Sequence, residues 1–184
     1  MVVVAISGVG ATGKTTITRL LAKRLHCKFL RLDVLAKRKK FLLGYDRKRK
    51  SWIVDMKRLG KEFAKLKKKN RNIVFESLYA HEFPADFVIV LRCNPKALEK
   101  RLRRKYSWHT KVTENLEAEM IGLITYEALK RNKKVFEVDT SQKTPQQAVA
   151  VITKILKGCG DKYKAGRIDW LKRGSSATIS TLST

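Results

Sequence analysis

The 184-residue sequence predicts an α/β domain in which a parallel sheet is wrapped by helices. Three observations predict it. Short apolar runs, the first at Val2–Ser7, have the unbroken hydrophobic character of strands buried on both faces. Stretches with helical spacing separate these runs. Hydrophobic residues make up 43% of the chain, enough to fill a single core at this length.

The elements follow in order. Val2–Ser7 is the first strand, and Ile17, Leu20, Leu21 and Leu25 carry the helix expected over residues 14–25. Lys28–Leu32 reads as a second strand. Residues 33–54 are mostly basic, with Gly44-Tyr45-Asp46 as a turn signal. Met56, Leu59, Phe63 and Leu66 form one stripe of a helix over Asp55–Lys69. Asn72–Glu76 and Asp86–Leu91 are two further strands, broken apart at Pro84. Asn94-Pro95 is a capped helix start. A long helix is expected over residues 112–131, with Leu116, Met120, Leu123, Ile124 and Ala128 facing inward. Val135–Val138 is the last strand. Thr144-Pro145-Gln146-Gln147 combines a capping box with an early proline ahead of the final helix. One domain over residues 1–172 is expected, followed by a polar, disordered tail at 173–184.

Composition narrows the class. Forty-two Lys and Arg stand against 16 Asp and Glu, a net charge of +26. Residues 23–70 hold 19 basic and 4 acidic side chains, and residues 92–111 hold 8 and 1. Heat adaptation would supply matching acids, and they are missing. Such an excess attracts polyanions, whether nucleotides, RNA or a ribosomal surface. Cys27, Cys93 and Cys159 lack paired spacing, which argues against a disulfide frame and a four-thiolate zinc site and suits a reducing, cytoplasmic compartment. No apolar run is long enough for a membrane helix, and the N-terminal run lacks the marks of a signal peptide.

Chemistry enters at Gly8-Val9-Gly10-Ala11-Thr12-Gly13-Lys14-Thr15-Thr16, a G-x-x-x-x-G-K-[ST] pattern between a strand and an amphipathic helix. Gly8 and Gly13 allow the tight turn that aims successive N–H groups into one hollow, and the helix N-terminus adds its positive dipole end. Lys14 would bridge the β- and γ-phosphates of ATP, and the Thr15 hydroxyl would bind Mg²⁺. The two basic segments fall where a small kinase carries its acceptor arm and its lid. Arg101, Arg103 and Arg104 are lid candidates, although the first and second of these also fit the wet face of their helix.

These residues resemble the adenylate-kinase-like nuclear ATPases of the coilin-interacting type, and within them the archaeal adenylate kinase branch. The likeness spans roughly residues 1–172. It rests on the phosphate loop, Gly44–Asp46 followed by Ile53–Asp55, Val90–Arg92, Arg101–Ser107, Lys111–Glu119, Val138–Ser141 and Ala165–Leu171. The resemblance implies a P-loop NTPase core of five parallel strands, an acceptor arm at about 30–53 and a zinc-free lid at about 103–113. It implies phosphate transfer from ATP to a nucleoside monophosphate such as AMP, ATP hydrolysis, and binding of a small-subunit ribosomal protein or rRNA during subunit maturation. Carried over by position, Gly8, Gly10, Ala11, Gly13, Lys14, Thr15 and Thr16 hold the ATP phosphates, Arg104 faces ATP from the lid, and Lys143 lies near the adenine. Asp33, Lys37, Tyr45, Asp46 and Asp55 are the acceptor-side candidates. A monomer is expected.

The chain also departs from that family. Gly10-Ala11 replaces a Pro-Gly pair, and Lys105 replaces a lid glycine. At the third strand's end, Glu76-Ser77-Leu78 stands where the family has an acid, any residue, then histidine. Glu76 keeps the capacity to hold a magnesium-bound water and is a catalytic candidate with Lys14 and Arg104. Leu78 cannot polarise anything, so hydrolysis should suffer more than transfer. His81 is either a substitute or a solvated turn residue. Glu114, Glu117 and Glu119 read as structural acids in the first turns of a helix. Trp170 reads as the pin of the tail, and Trp52 and Trp108 as packing residues. Two functions remain open: a monophosphate kinase, or a nucleotide-gated assembly factor.

Overall fold

The computed structural model describes residues 2–174. Seven strands and eight α-helices alternate along them: β1 (Val3–Ser7), α1 (Lys14–Arg24), β2 (Lys28–Arg31), α2 (Leu32–Arg38), β3 (Leu42–Asp46), β4 (Ser51–Val54), α3 (Met56–Lys69), β5 (Ile73–Glu76), β6 (Phe87–Arg92), α4 (Pro95–Lys105), α5 (His109–Met120), α6 (Leu123–Arg131), β7 (Val135–Asp139), α7 (Pro145–Leu156) and α8 (Trp170–Gly174). Five strands form a parallel sheet in the order β2-β5-β1-β6-β7. The α/β expectation and its five-stranded parallel sheet therefore hold.

The apolar runs produce this layering because alternate residues of a strand face opposite sides. In β1, Val3 and Ala5 enter a core closed by Leu35, Phe63, Leu98 and Ala128. Val4 and Ile6 enter the opposite core, closed by Ile17 and Leu21 of α1 and by Ala148 and Ile152 of α7. Both faces being covered, the strand has no polar side. The capping signals act as read: Asn94 Oδ1 accepts from Lys96 N at 3.0 Å, and Thr144 and Gln147 form a reciprocal capping box.

Three expectations need correction. The long helix over 112–131 is two helices, because Gly122 adopts φ 66°, a left-handed conformation that ends α5 and turns the chain into α6. That turn exposes Leu123, while Ile124 and Ala128 stay buried. Gly44-Tyr45-Asp46 is not a turn but the end of β3, which pairs with β4 as an antiparallel hairpin whose tip is Arg47–Lys50. Asp46 makes that tip by accepting from Arg49 N at 2.8 Å. Residues 175–184 of the expected tail lie outside the described residues.

Arg92, at the end of β6, is a buried cation. Its Nε donates to Glu119 Oε1 at 2.7 Å, and its Nη1 pairs with Glu137 Oε1. The other Glu137 oxygen accepts from the backbone N–H groups of Gly166, Arg167 and Ile168 at 3.0–3.2 Å. Trp170 Nε1 donates to Glu119 Oε1 at 2.8 Å, so the indole does pin the C-terminal segment. That segment also runs along the outer edge of the sheet, where Ala165 N donates to Val135 O at 3.1 Å. Glu119 thus belongs to the last turn of α5 and to this network, and Glu114 to its middle. The helix-start reading of those acids fails because α5 begins at His109.

Replacing Arg92 by Met should destabilise the fold by about 3–5 kcal/mol, because two buried carboxylates lose their partner. Urea unfolding at pH 7 measures this. The deficit should shrink as the pH falls and Glu119, whose pKa burial raises, takes up a proton.

Candidate active site

The first connection of the sheet builds the site. β1 delivers the chain to a loop that closes on α1, at the carboxyl ends of the strands, where open α/β sheets place ligands. Gly8 has φ 138°, and a Cβ there would lie 2.6 Å from Leu91 O, so the loop passes β6 at backbone distance. Ala11 has φ 59°. A left-handed alanine costs roughly 1–2 kcal/mol, so the loop carries strain at this residue.

Lys14 folds back over the loop and donates to Gly8 O and Val9 O, each at 2.7 Å. Burial pulls its ammonium down to about 8, Glu76 and Asp33 pull it up, and Lys105 adds to the lowering. Thr15 Oγ1 donates to Glu76 Oε1 at 2.9 Å. A hydroxyl and a buried carboxylate thus face each other at the loop, a donor set suited to Mg²⁺ held partly through substrate phosphates.

Arg31, at the end of β2, sits between two acids: its Nε lies 3.1 Å from Glu76 Oε1 and its Nη2 lies 2.8 Å from Asp33 Oδ2. Asp33 Oδ1 and the Tyr79 hydroxyl are buried with no hydrogen-bond partner among the described residues. Sequence reasoning passed over Arg31 and Tyr79. The available signal was position, a long polar side chain at or just beyond the carboxyl end of a strand beside the phosphate loop.

The two insertions meet above the loop. Lys50, at the hairpin tip, places Nζ 3.1 Å from the centroid of Trp108, between α4 and α5. Arg49 Nε lies 3.5 Å from Glu114, and Lys111 Nζ donates to Lys50 O at 3.4 Å. Trp108 and Trp52 are both partly exposed, at 43% and 48%, so neither is a core packing residue. Trp52 instead meets Tyr45 edge to face across the hairpin, ring centroids 5.0 Å apart. Asp46 caps the hairpin tip, Asp55 Oδ1 accepts from Arg58 N at the start of α3, and Lys37 is exposed at the end of α2.

On the lid, Arg104 is exposed and Arg103 pairs with Glu99 along the wet face of α4. Arg101 does not share that face. Its guanidinium donates to Thr140 O at 2.8 Å and Ser141 O at 3.0 Å, tying α4 to the loop after β7. Lys143 lies on that loop, at a cleft of about 600 Å³ that it lines with Lys96, Lys100, Ser141 and Trp170. His81 is not a solvated turn residue: it is buried in a short 3-10 helix, its backbone N–H donates to Ser7 Oγ at 2.9 Å, and burial lowers its pKa. Leu78 is half exposed.

Residues 4–122 match the family described as AAA domain. A Pyrococcus furiosus protein named "Putative adenylate kinase" is 37% identical over 170 residues, covering 92% of each chain. A Methanocaldococcus jannaschii protein of the same name is 30% identical over 170 residues, covering 92% of this chain and 93% of its own. The chain belongs to this archaeal P-loop family. Among solved structures, shikimate kinase from Acinetobacter baumannii superposes with a TM-score of 0.60 at 15% identity, over 86% of this chain and 94% of that one. Deoxyadenosine kinase from M. mycoides gives 0.58 at 17%, over 84% and 99%. At these identities the likeness is one of fold. No helix among the described residues is long and apolar enough to cross a membrane.

A lysine of pKa about 8 makes nucleotide capture pH-dependent. The free protein loses that charge as the pH rises through 8, so kcat/KM for ATP should fall about tenfold per unit above it. Bound phosphate favours the ammonium, so the limb in kcat should lie at higher pH. A pH series of initial rates checks both limbs.

Proposed function

We propose that this protein transfers the γ-phosphate of ATP to a nucleoside monophosphate, AMP first among them, as a cytoplasmic monomer of the adenylate-kinase-like, coilin-interacting type, with ATP hydrolysis as a side reaction. The observation that carries the reading is the convergence of Lys14, the Thr15–Glu76 pair and the Arg31–Asp33 pair on one phosphate loop, beneath a hairpin and a lid that touch. Gly8, Gly10, Ala11, Gly13 and Thr16 supply the cradle that orients the phosphates. Lys14 leaves its two carbonyl partners for the β- and γ-oxygens. Thr15, with Glu76 acting through a water, would hold Mg²⁺, which would supply charge neutralisation to the phosphates. Arg104 meets the transferring group when the lid settles, and Lys143 borders the base. Asp33, Lys37, Tyr45, Asp46 and Asp55 shape the acceptor side. Catalysis on this reading is positioning and charge stabilisation, with no covalent intermediate on the protein.

A second reading is supported by the net charge of +26 and by the hairpin, where Arg47–Lys50 are four successive cations beside half-exposed Tyr45 and Trp52. On it, the same nucleotide cycle gates binding of a small-subunit ribosomal protein or rRNA, and transfer to AMP is incidental.

Purified protein with ATP, Mg²⁺ and AMP should accumulate ADP while free phosphate stays low, and Lys14→Ala should abolish both. Free phosphate released regardless of AMP would instead favour the gated ATPase. Reversing the charges of Lys37, Arg38, Lys39 and Lys40 should weaken binding to small ribosomal subunits by about tenfold or more while ATP affinity holds. Equal losses would count against a separate partner surface.

A further inference from the structure

The Glu114-Asn115 and Ala118-Glu119 pairs mark α5 in the sequence; Glu114 meets Arg49 of the hairpin, while Asn115 has had no part in the site described above. Asn115 and Glu119 are four residues apart, so they share one stripe of the helix. Glu119 is its fixed end. Its carboxylate accepts from Arg92 Nε, from Cys93 N at 3.0 Å and from Trp170 Nε1, and its carbonyl accepts from Arg92 Nη2 at 2.9 Å. One turn earlier, Asn115 Oδ1 accepts the backbone N–H of Gly10 at 2.6 Å. The Asn115 amide nitrogen donates to Lys111 O at 2.7 Å, which sets the orientation of the amide.

The contact falls at a sensitive point of the loop. Gly10 precedes Ala11, the strained left-handed residue, and such a conformation persists only where its surroundings over-determine it. A Cβ on Gly10 would lie 2.8 Å from Asn115 Oδ1 and 3.2 Å from the Tyr106 hydroxyl, so α5 and its connector press on the loop. A proline at position 10 would have no N–H to give. This chain has one, and the lid helix takes it.

We infer that Asn115 is a positioning residue that seats the lid helix on the phosphate loop through the Gly10 amide. It touches no substrate. It holds the loop in shape and sets the height at which Arg104, Lys105 and Lys111 cover the transferring phosphate, and with it the access of water. The kinetic consequence rests on the phosphoryl-transfer reading; the contact does not.

The test is Asn115→Ala in the full chain, read first by hydrogen exchange of the Gly10 amide without nucleotide. Exchange should quicken about tenfold or more, while the loss of one hydrogen bond lowers Tm by only about 2–4 °C. The transfer kcat should fall about tenfold or more with KM for ATP little changed, and the share of ATP lost to water should rise. Asn115→Asp, which keeps an acceptor, should retain slow exchange. Gly10→Ala should impair transfer by collision, and adding Asn115→Ala should recover part of that loss by opening space. A Gly10 amide that exchanges equally fast with and without Asn115 would overturn the contact, whatever the reaction. Faster exchange with an unchanged partition between acceptor and water would overturn the positioning role. Should the wild type transfer no phosphate at all, the proposed function fails and amide exchange alone decides the inference.

Discussion

A guanidinium buried to 98% of its surface needs two things at once, counter-charge and hydrogen-bond acceptors, and Arg92 obtains both from parts of the chain far apart in sequence. Glu119 comes from α5 and Glu137 from the outer strand, while the three amides at 166–168 complete the second carboxylate. Taking any one partner away would strand a charge in a medium that solvates it poorly, so the members stand or fall together. The end of β6, the end of α5 and the C-terminal segment are therefore held in one geometry, and the phosphate loop is built against it.

Above this rigid floor the site is electrically uneven. Lys14, Arg31, Glu76 and Asp33 share one small volume, in which Arg31 pairs with both acids and Lys14 feels their charge. Outside it, the acids thin out and basic side chains dominate the hairpin, α3 and the start of the lid. A nucleotide approaching from any side meets attraction first and selection later, at the loop.

The features readable in the sequence were those written locally. The strands followed from unbroken apolar runs, the phosphate loop from a pattern in its proper setting, and the capping box at Thr144 from residues three apart. What escaped was written across distance. Gly122 inside a helical pattern looks tolerable until the neighbouring elements require a left-handed residue there. Gly44 signalled a turn, yet Asp46 moved the turn on to Arg47–Lys50 by capping it. Arg101 and Arg92 sit among basic residues that are mostly solvated, and nothing in their spacing reveals that one is tied to a loop after β7 and the other fully enclosed. His81 was hidden for the same reason: its environment is supplied by Ser7 and Glu127.

The C-terminal segment that Glu137 and Trp170 hold down also changes what the sheet can do to other molecules. An open parallel sheet ends in two rows of unpaired backbone groups, each a template for another strand. Here β7 is not left bare, because the chain at 164–165 lies alongside it and takes the Val135 carbonyl. The opposite edge, β2, is only four residues long and begins with an exposed lysine. Among the described residues, neither margin of the five-stranded sheet is a long, flat, apolar strand, and this makes pairing with another strand there less favourable.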